Sequence, residues 1–438
     1  MPIEDIKYDR KKFSDKMEVV VSNMPKSPTV TALVIFKVGS RQETDQQSGI
    51  SHFLEHMVFK GNKTYPKTKE IASAIESLGG SFNAFTSKEH TGFYVKVGAE
   101  FGDTALRWLS SLVSTPFIKQ KDVNSERGVI LEEINMYNDT PARQVGDYFE
   151  DLLLSGTTLG RNIIGTEKTL GKMSAKDLKN YYNRFYHPSN AVFVMAGNLE
   201  KVIGKKNSGN KSFENLKKFF SSLPKNQVEK NNKLEKGRKK STSRIKVVYK
   251  KTDQTHLVLG SETFSLFDER RYPLLLLNTI LGGGMSSWAF SEIREKRGLA
   301  YYVNSGMHLY QDAGYLAVNA GVNNSKLDLA IQEIIKLFSK MEKGQFSEEE
   351  IKKAKDQVIG GMLLQRETSD DIAFLLGSEI ASQGEFIPFS KEINLIKRVQ
   401  KSDLKKIAQE FFKKERLNLA LIGPWKKKDE EEFKKTLS

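Results

Sequence analysis

His52, Glu55 and His56 fall within the five residues HFLEH, and their types and spacing suit metal chemistry. On a helix, residues four apart lie on one face, so His52 and His56 can offer two imidazoles to the same ion. Glu55, three residues beyond His52, projects to that side and can take a proton from water without itself being a ligand. The bland alternative is a surface helix on which these residues fall together by chance. With six histidines in 438 residues, a chance H-x-x-E-H is expected only about 0.006 times per chain.

A zinc site of the catalytic kind needs a third protein ligand and keeps one position open. The chain has no cysteine, so that ligand must be a carboxylate or another histidine. The segment SERGVILEEINMYNDTP (Ser125 to Pro141) reads as a helix with Glu126, Ile130, Glu133 and Tyr137 on one face. Two carboxylates two turns apart suit a ligand and a group behind a ligand. On physics alone Glu132 and Glu133 compete for the ligand role.

The elements that must hold these groups come from more than one core. A chain of 438 residues exceeds the roughly 250 to 300 at which single cores stop growing. The stretch PKNQVEKNNKLEKGRKKSTS, Pro224 to Ser243, is polar, charged and aperiodic, and marks a connector. It predicts domains at 1–224 and 244–438 joined by a basic linker at 225–243. The halves carry a faint repeat: TALVIFKVG resembles THLVLGSETF, TGFYVKVG resembles GYLAVNAGV, and SNAVFVMAGNL resembles RLNLALIGPW. Strands and helices do not alternate strictly, so each copy is expected to be α+β, a largely antiparallel sheet covered by helices. GGSFNAFTSKEHTGFYVKV reads as a hairpin turning near Ser87 to Glu89. Gly282 to Gly284 lack the G-x-x-x-x-G-K-[ST] of a phosphate cradle and read as a tight turn.

HFLEHMVFKG followed at a distance by ERGVILEE resembles the inverted zinc motif of the pitrilysin-type peptidases. The closer likeness is to the half-length branch that includes bacterial and mitochondrial processing peptidases, and it runs essentially end to end. The resemblance implies a zinc endopeptidase with one Zn2+ per chain, held by His52, His56 and Glu133, with Glu55 as general base. Glu126 would then stand behind the ligands and Glu132 would be a bystander. The first strand of the hairpin is implied to be a sheet edge that pairs with the peptide substrate. Asn83, Ala84 and Phe85 would contact the peptide, and Phe59 would line the same pocket. LGGGMSSWAFSEIREKRGLAYYVNSG is similar to the family stretch whose Arg and Tyr bind the substrate carbonyl; here these are Arg294 and Tyr301. Full-length relatives of the family contain four such domains around a chamber. A two-domain chain therefore implies a homodimer, or a heterodimer with a paralogue, in which Arg294 and Tyr301 serve the partner's zinc. The family also includes non-catalytic structural or partner subunits, against which the intact motifs argue.

Composition excludes other classes. No apolar run approaches the roughly 20 residues that span a bilayer, and the N-terminus lacks the apolar core of a secretory signal, so a cytoplasmic protein without a membrane span is expected. The net charge of +15 invites a nucleic-acid reading. About half of the excess, however, lies between Lys225 and Lys250, where ten Lys or Arg face two Glu in an aromatic-poor stretch. No recognition helix or aromatic ribonucleoprotein pattern accompanies it, so specific nucleic-acid binding is not expected. The expected partners are peptide substrates.

Overall fold

A computed structural model describes residues 5–203, 210–225 and 244–437. Its strands form two sheets. The first contains β1 (Asp9–Lys12), β2 (Glu18–Asn23), β3 (Thr29–Phe36), β4 (Ser81–Thr86), β5 (Thr91–Gly98) and β6 (Ala191–Gly197). The second contains β7 (Ile245–Tyr249), β8 (Gln254–Glu262), β9 (Ala300–Leu309), β10 (Gly314–Asn323) and β11 (Asn418–Gly423). The orders are β1-β2-β6-β3-β5-β4 and β7-β11-β8-β10-β9. Beyond the extra β1 the two orders correspond strand for strand. Each sheet has a single parallel pair, β2 with β6 and β7 with β11, and is otherwise antiparallel. The repeat read from the sequence thus pairs β3 with β8, β5 with β10 and β6 with β11, and the protein is α+β with two sheets covered by helices.

The helices that matter for the site and the cores are α1 (Ile50–Val58), α2 (Gly102–Ser114), α3 (Gln120–Asn138) and α4 (Pro141–Leu153) from the first half. From the second half come α5 (Arg271–Gly282), α6 (Leu327–Glu342), α7 (Ser369–Gln383) and α8 (Lys401–Phe411). β3 is an almost unbroken apolar run because both of its faces are covered. Val30 lies under α2, close to Gly102, whereas Leu33 and Ile35 join Val192 and Val194 of β6 against Ile372, Leu376 and Ile380 of α7. The second sheet shows the same economy. Leu257, Leu316 and Leu421 pack with Leu277 of α5, Ile334 of α6 and Ile407 of α8, while Val258, Tyr315 and Ala420 face Val145, Phe149 and Leu153 of α4.

The strands divide between the units as they do along the sequence, but two helices do not. The chain forms two compact units, and α4 belongs to the unit of the second sheet while α7 belongs to that of the first. The halves expected at 1–224 and 244–438 therefore exchange one helix each. The physical reason is that both sheets are apolar on both faces, and in each unit the helix from the other half covers the second face. The linker expected at 225–243 lies, apart from Lys225, outside the described residues. Among the described residues no helix is long and apolar enough to cross a membrane.

Candidate metal centre

α1 is built to leave one face free for chemistry. Ile50, Phe53, Leu54, Met57 and Val58 are buried, and His52, Glu55 and His56 remain half-buried on the other face. The helix starts at Gly49, whose φ of 96° and close approach to the Ile164 carbonyl exclude a side chain. The amides of Gly49 and Ser51 donate to the buried Glu43 carboxylate at 2.8 and 2.9 Å, satisfying helix N–H groups that would otherwise lack partners. Burial pushes the Glu43 pKa up to about 7, with those same amides opposing the shift.

α3 supplies the carboxylates. Glu133 Oε2 lies 3.6 Å from His52 Nε2 and 3.5 Å from His56 Nε2. Those separations are long for a hydrogen bond but close to the about 3.3 Å between neighbouring ligands of a tetrahedral ion with bonds of about 2.0–2.1 Å. Among the described residues His52, His56 and Glu133 are the one group of this kind, with ligand atoms all within 4.8 Å of one another. Two imidazoles and one carboxylate suit zinc. His56 Nδ1 donates to Glu126 Oε1 at 2.8 Å, which leaves Nε2 for the ion. Lys60 pairs with the other Glu126 oxygen. Burial depresses the His52 pKa to about 4, with His56 adding to the effect, so this imidazole is neutral near pH 7 and ready to ligate. Burial also opposes the charge on His56, but the hydrogen bond to Glu126 and the nearby Glu133 carboxylate outweigh it and lift that pKa to about 9. The residues fit a divalent cation: two imidazole nitrogens and one carboxylate oxygen converge within reach of a single ion.

Glu55 is the carboxylate on α1, and burial raises its pKa. Its Oε2 accepts a hydrogen bond of 2.5 Å from Thr86 Oγ1 at the end of β4. Glu132 is exposed on α3 and stands apart from this group. β4 is the edge of its sheet, with Asn83 exposed and Ala84 half-buried along it. On the α1 side of the strand, Phe82 lies between Trp108 and Phe59, with ring centroids at 4.9 and 5.9 Å. Phe85 follows Ala84 on the strand. Side chains alternate along a strand, so it turns to the opposite face and packs on Phe374 of α7 at 5.9 Å. Its bulk serves the sheet's other face rather than the side that carries His52.

Arg294 and Tyr301 belong to the other compact unit. Both are exposed, and the guanidinium lies 5.9 Å from the Tyr301 ring centre. Tyr301 sits on the edge strand β9 and is 74% exposed. Three neighbours of the site carry no spacing signal that singled them out: Glu43, Lys60 and Thr86. Lys60 lies two residues beyond the end of α1, and all three are brought in by the fold.

Comparison with known proteins gives consistent names. The family model described as insulinase (peptidase family M16) matches residues 18–167, and that described as peptidase M16 inactive domain matches residues 172–358. The chain is 32% identical to the uncharacterized zinc protease YmxG of Bacillus subtilis, over 93% of this chain and 96% of that protein. An uncharacterized zinc protease of Rickettsia felis is 33% identical over 95% of this chain and 98% of its own. Among solved structures, a protease from Helicobacter pylori superposes with a TM-score of 0.87 at 26% identity, covering 96% of this chain and all (100%) of that one. The peptidase M16 inactive domain from Pseudomonas fluorescens shares the fold at 18% identity, with a TM-score of 0.84 over 96% of this chain and 98% of that one.

Proposed function

The chain belongs to the M16, or insulinase, peptidase family, and on that premise we propose that it is a zinc-dependent endopeptidase that hydrolyses extended peptides or unfolded protein segments. The observation that carries this reading is the convergence of His52 Nε2, His56 Nε2 and Glu133 Oε2 beside the carboxylate of Glu55. A zinc ion held there supplies a Lewis acid for the scissile carbonyl and lowers the pKa of water toward neutrality. Glu55 takes the proton of the attacking water and returns it to the leaving amine. Glu126 orients His56, and Lys60 balances Glu126. The outer edge of β4, where the Ala84 amide donates to the Asn83 side chain at 2.9 Å, is the edge at which an extended peptide would add as a strand beside Asn83 and Ala84, with Phe59 near them. A folded substrate cannot present such a strand, which restricts the enzyme to peptides and loose segments.

Arg294 and Tyr301 complete this reading as donors to the developing oxyanion, a contribution whose loss typically costs about 10²- to 10³-fold. The working form is a dimer in which these two residues act on the zinc of the partner subunit. The competing reading, a structural subunit without activity, is disfavoured because every ligand and the base are present. The decisive test is Glu55→Gln. The variant should bind zinc near-stoichiometrically and cleave no quenched peptide, whereas undiminished cleavage would overturn the assignment.

A further inference from the structure

We propose that Thr86 is a positioning residue for the general base: its hydroxyl, carried on the strand at which the peptide pairs, holds Glu55 Oε2 and leaves Oε1 directed to the attacking water. The inference rests on the peptidase reading above.

A glutamate on a helix has three rotatable bonds, and the apolar packing around α1 fixes the helix but not the carboxylate at its tip. Among the described residues, Thr86 Oγ1 is the one hydrogen-bond donor to Glu55. A hydroxyl has a single proton to give, so this contact is directional and selects one of the two carboxylate oxygens. Thr86 also lies two residues beyond Ala84, on the same side of β4, because side chains alternate along a strand. The group that steadies the base and the backbone that would bind the peptide therefore belong to one short strand.

That strand is not a loose edge. The tip of its hairpin is fastened to the segment that leads into α1: the Ser40 and Arg41 amides donate to the carbonyls of Ser87 and Lys88 at 3.1 and 2.9 Å. Gly39 is required for this approach, since a Cβ there would lie 2.2 Å from the Ser87 carbonyl oxygen. Arg41 and Glu89 form a buried ion pair across the same junction, and the Lys88 ammonium donates to the Arg161 carbonyl. Within the tip, Ser87 Oγ accepts from the amides of Glu89 and His90 at 3.3 and 2.9 Å. Thr86, the residue just before this fastened turn, thus holds its oxygen at a set distance from α1 while the rest of β4 stays open to substrate.

The test compares Thr86→Val, which keeps the shape and removes the proton, with Thr86→Ser, which keeps the proton. Thr86→Val should lose about 10- to 100-fold in kcat, the scale of a displaced catalytic group, with KM, zinc stoichiometry and melting temperature near wild type. Thr86→Ser should recover most of the loss. A second readout needs no turnover: in cobalt(II)-loaded protein, Thr86→Val should shift the visible d–d bands and Thr86→Ser should restore them. A Thr86→Val protein with wild-type kcat and wild-type cobalt spectrum would overturn the proposal, as would a loss that Thr86→Ser fails to rescue. If the zinc-loaded wild type cleaves no peptide, the peptidase reading fails separately, and the cobalt spectra still decide whether Thr86 positions Glu55.

Discussion

Glu126 accepts from His56 Nδ1 at 2.8 Å and is almost wholly buried, so it fixes which imidazole nitrogen is left for the metal. Groups in that position typically contribute 10- to 100-fold to metal affinity. Glu126→Ala should therefore weaken zinc binding by about that factor in competition with a chelator, and wild-type affinity would remove Glu126 from the site. A different histidine couples stability to pH. His90 donates to the Ala381 carbonyl, its Nε2 is buried without a partner among the described residues, and burial holds its pKa near 4 rather than 6.5. The unfolded chain thus binds this proton more readily than the folded one. Stability is retained above pH 6.5 and lost as the pH falls from 6.5 toward 4, by on the order of 3 kcal/mol in all. His90→Gln should remove that part of the pH dependence, seen as a flatter difference in urea midpoints between pH 7 and pH 4. A slope identical to wild type would show that His90 does not titrate in this way.

Among the elements, α7 shows what a helix from the other half of the sequence contributes. Its first residue, Ser369, shares hydroxyl contacts of 2.9 Å with both Thr29 and Thr31, and Lys96 pairs with Asp370. Leu376 is fully buried against β3 and β6. Leu376→Ala should cost about 2–5 kcal/mol, the range for opening a cavity under a leucine, read as a lower denaturant midpoint; a change under about 1 kcal/mol would mean the sheet does not depend on this cover. No pattern in the sequence pointed to this pairing. β3, β5 and β6 were legible because apolar runs and turns are local, and His52, Glu55 and His56 were legible because four-residue spacing fixes a helix face. The covering of β3 by α7 joins residues more than 300 positions apart, where periodicity says only that a face is apolar and not what covers it. Phe85 and Thr86 show the same limit at close range. Alternation fixes that they point to opposite sides of β4, but only the packed sheet reveals that Phe374 takes one and Glu55 the other.

At the scale of the whole molecule, the exposed Arg294 and Tyr301 pose the remaining question. Tyr301 lies on an edge strand, 74% exposed and beside an exposed guanidinium, and under the proposed function it serves a partner subunit. In the proposed dimer, if it is symmetric, each zinc would meet the Arg294 and Tyr301 of the partner. Glu55→Gln and Tyr301→Phe chains would then each be nearly inactive alone. After random exchange at equal concentrations, half of the dimers would be mixed, and each mixed dimer would hold one site with both Glu55 and Tyr301 intact. Activity should recover to roughly a quarter of wild type, and it should fall on dilution as dimers separate. Mass-labelled chains would report the exchange independently. No recovery despite proven exchange would place Tyr301 in the service of its own chain's zinc and remove the need for a partner.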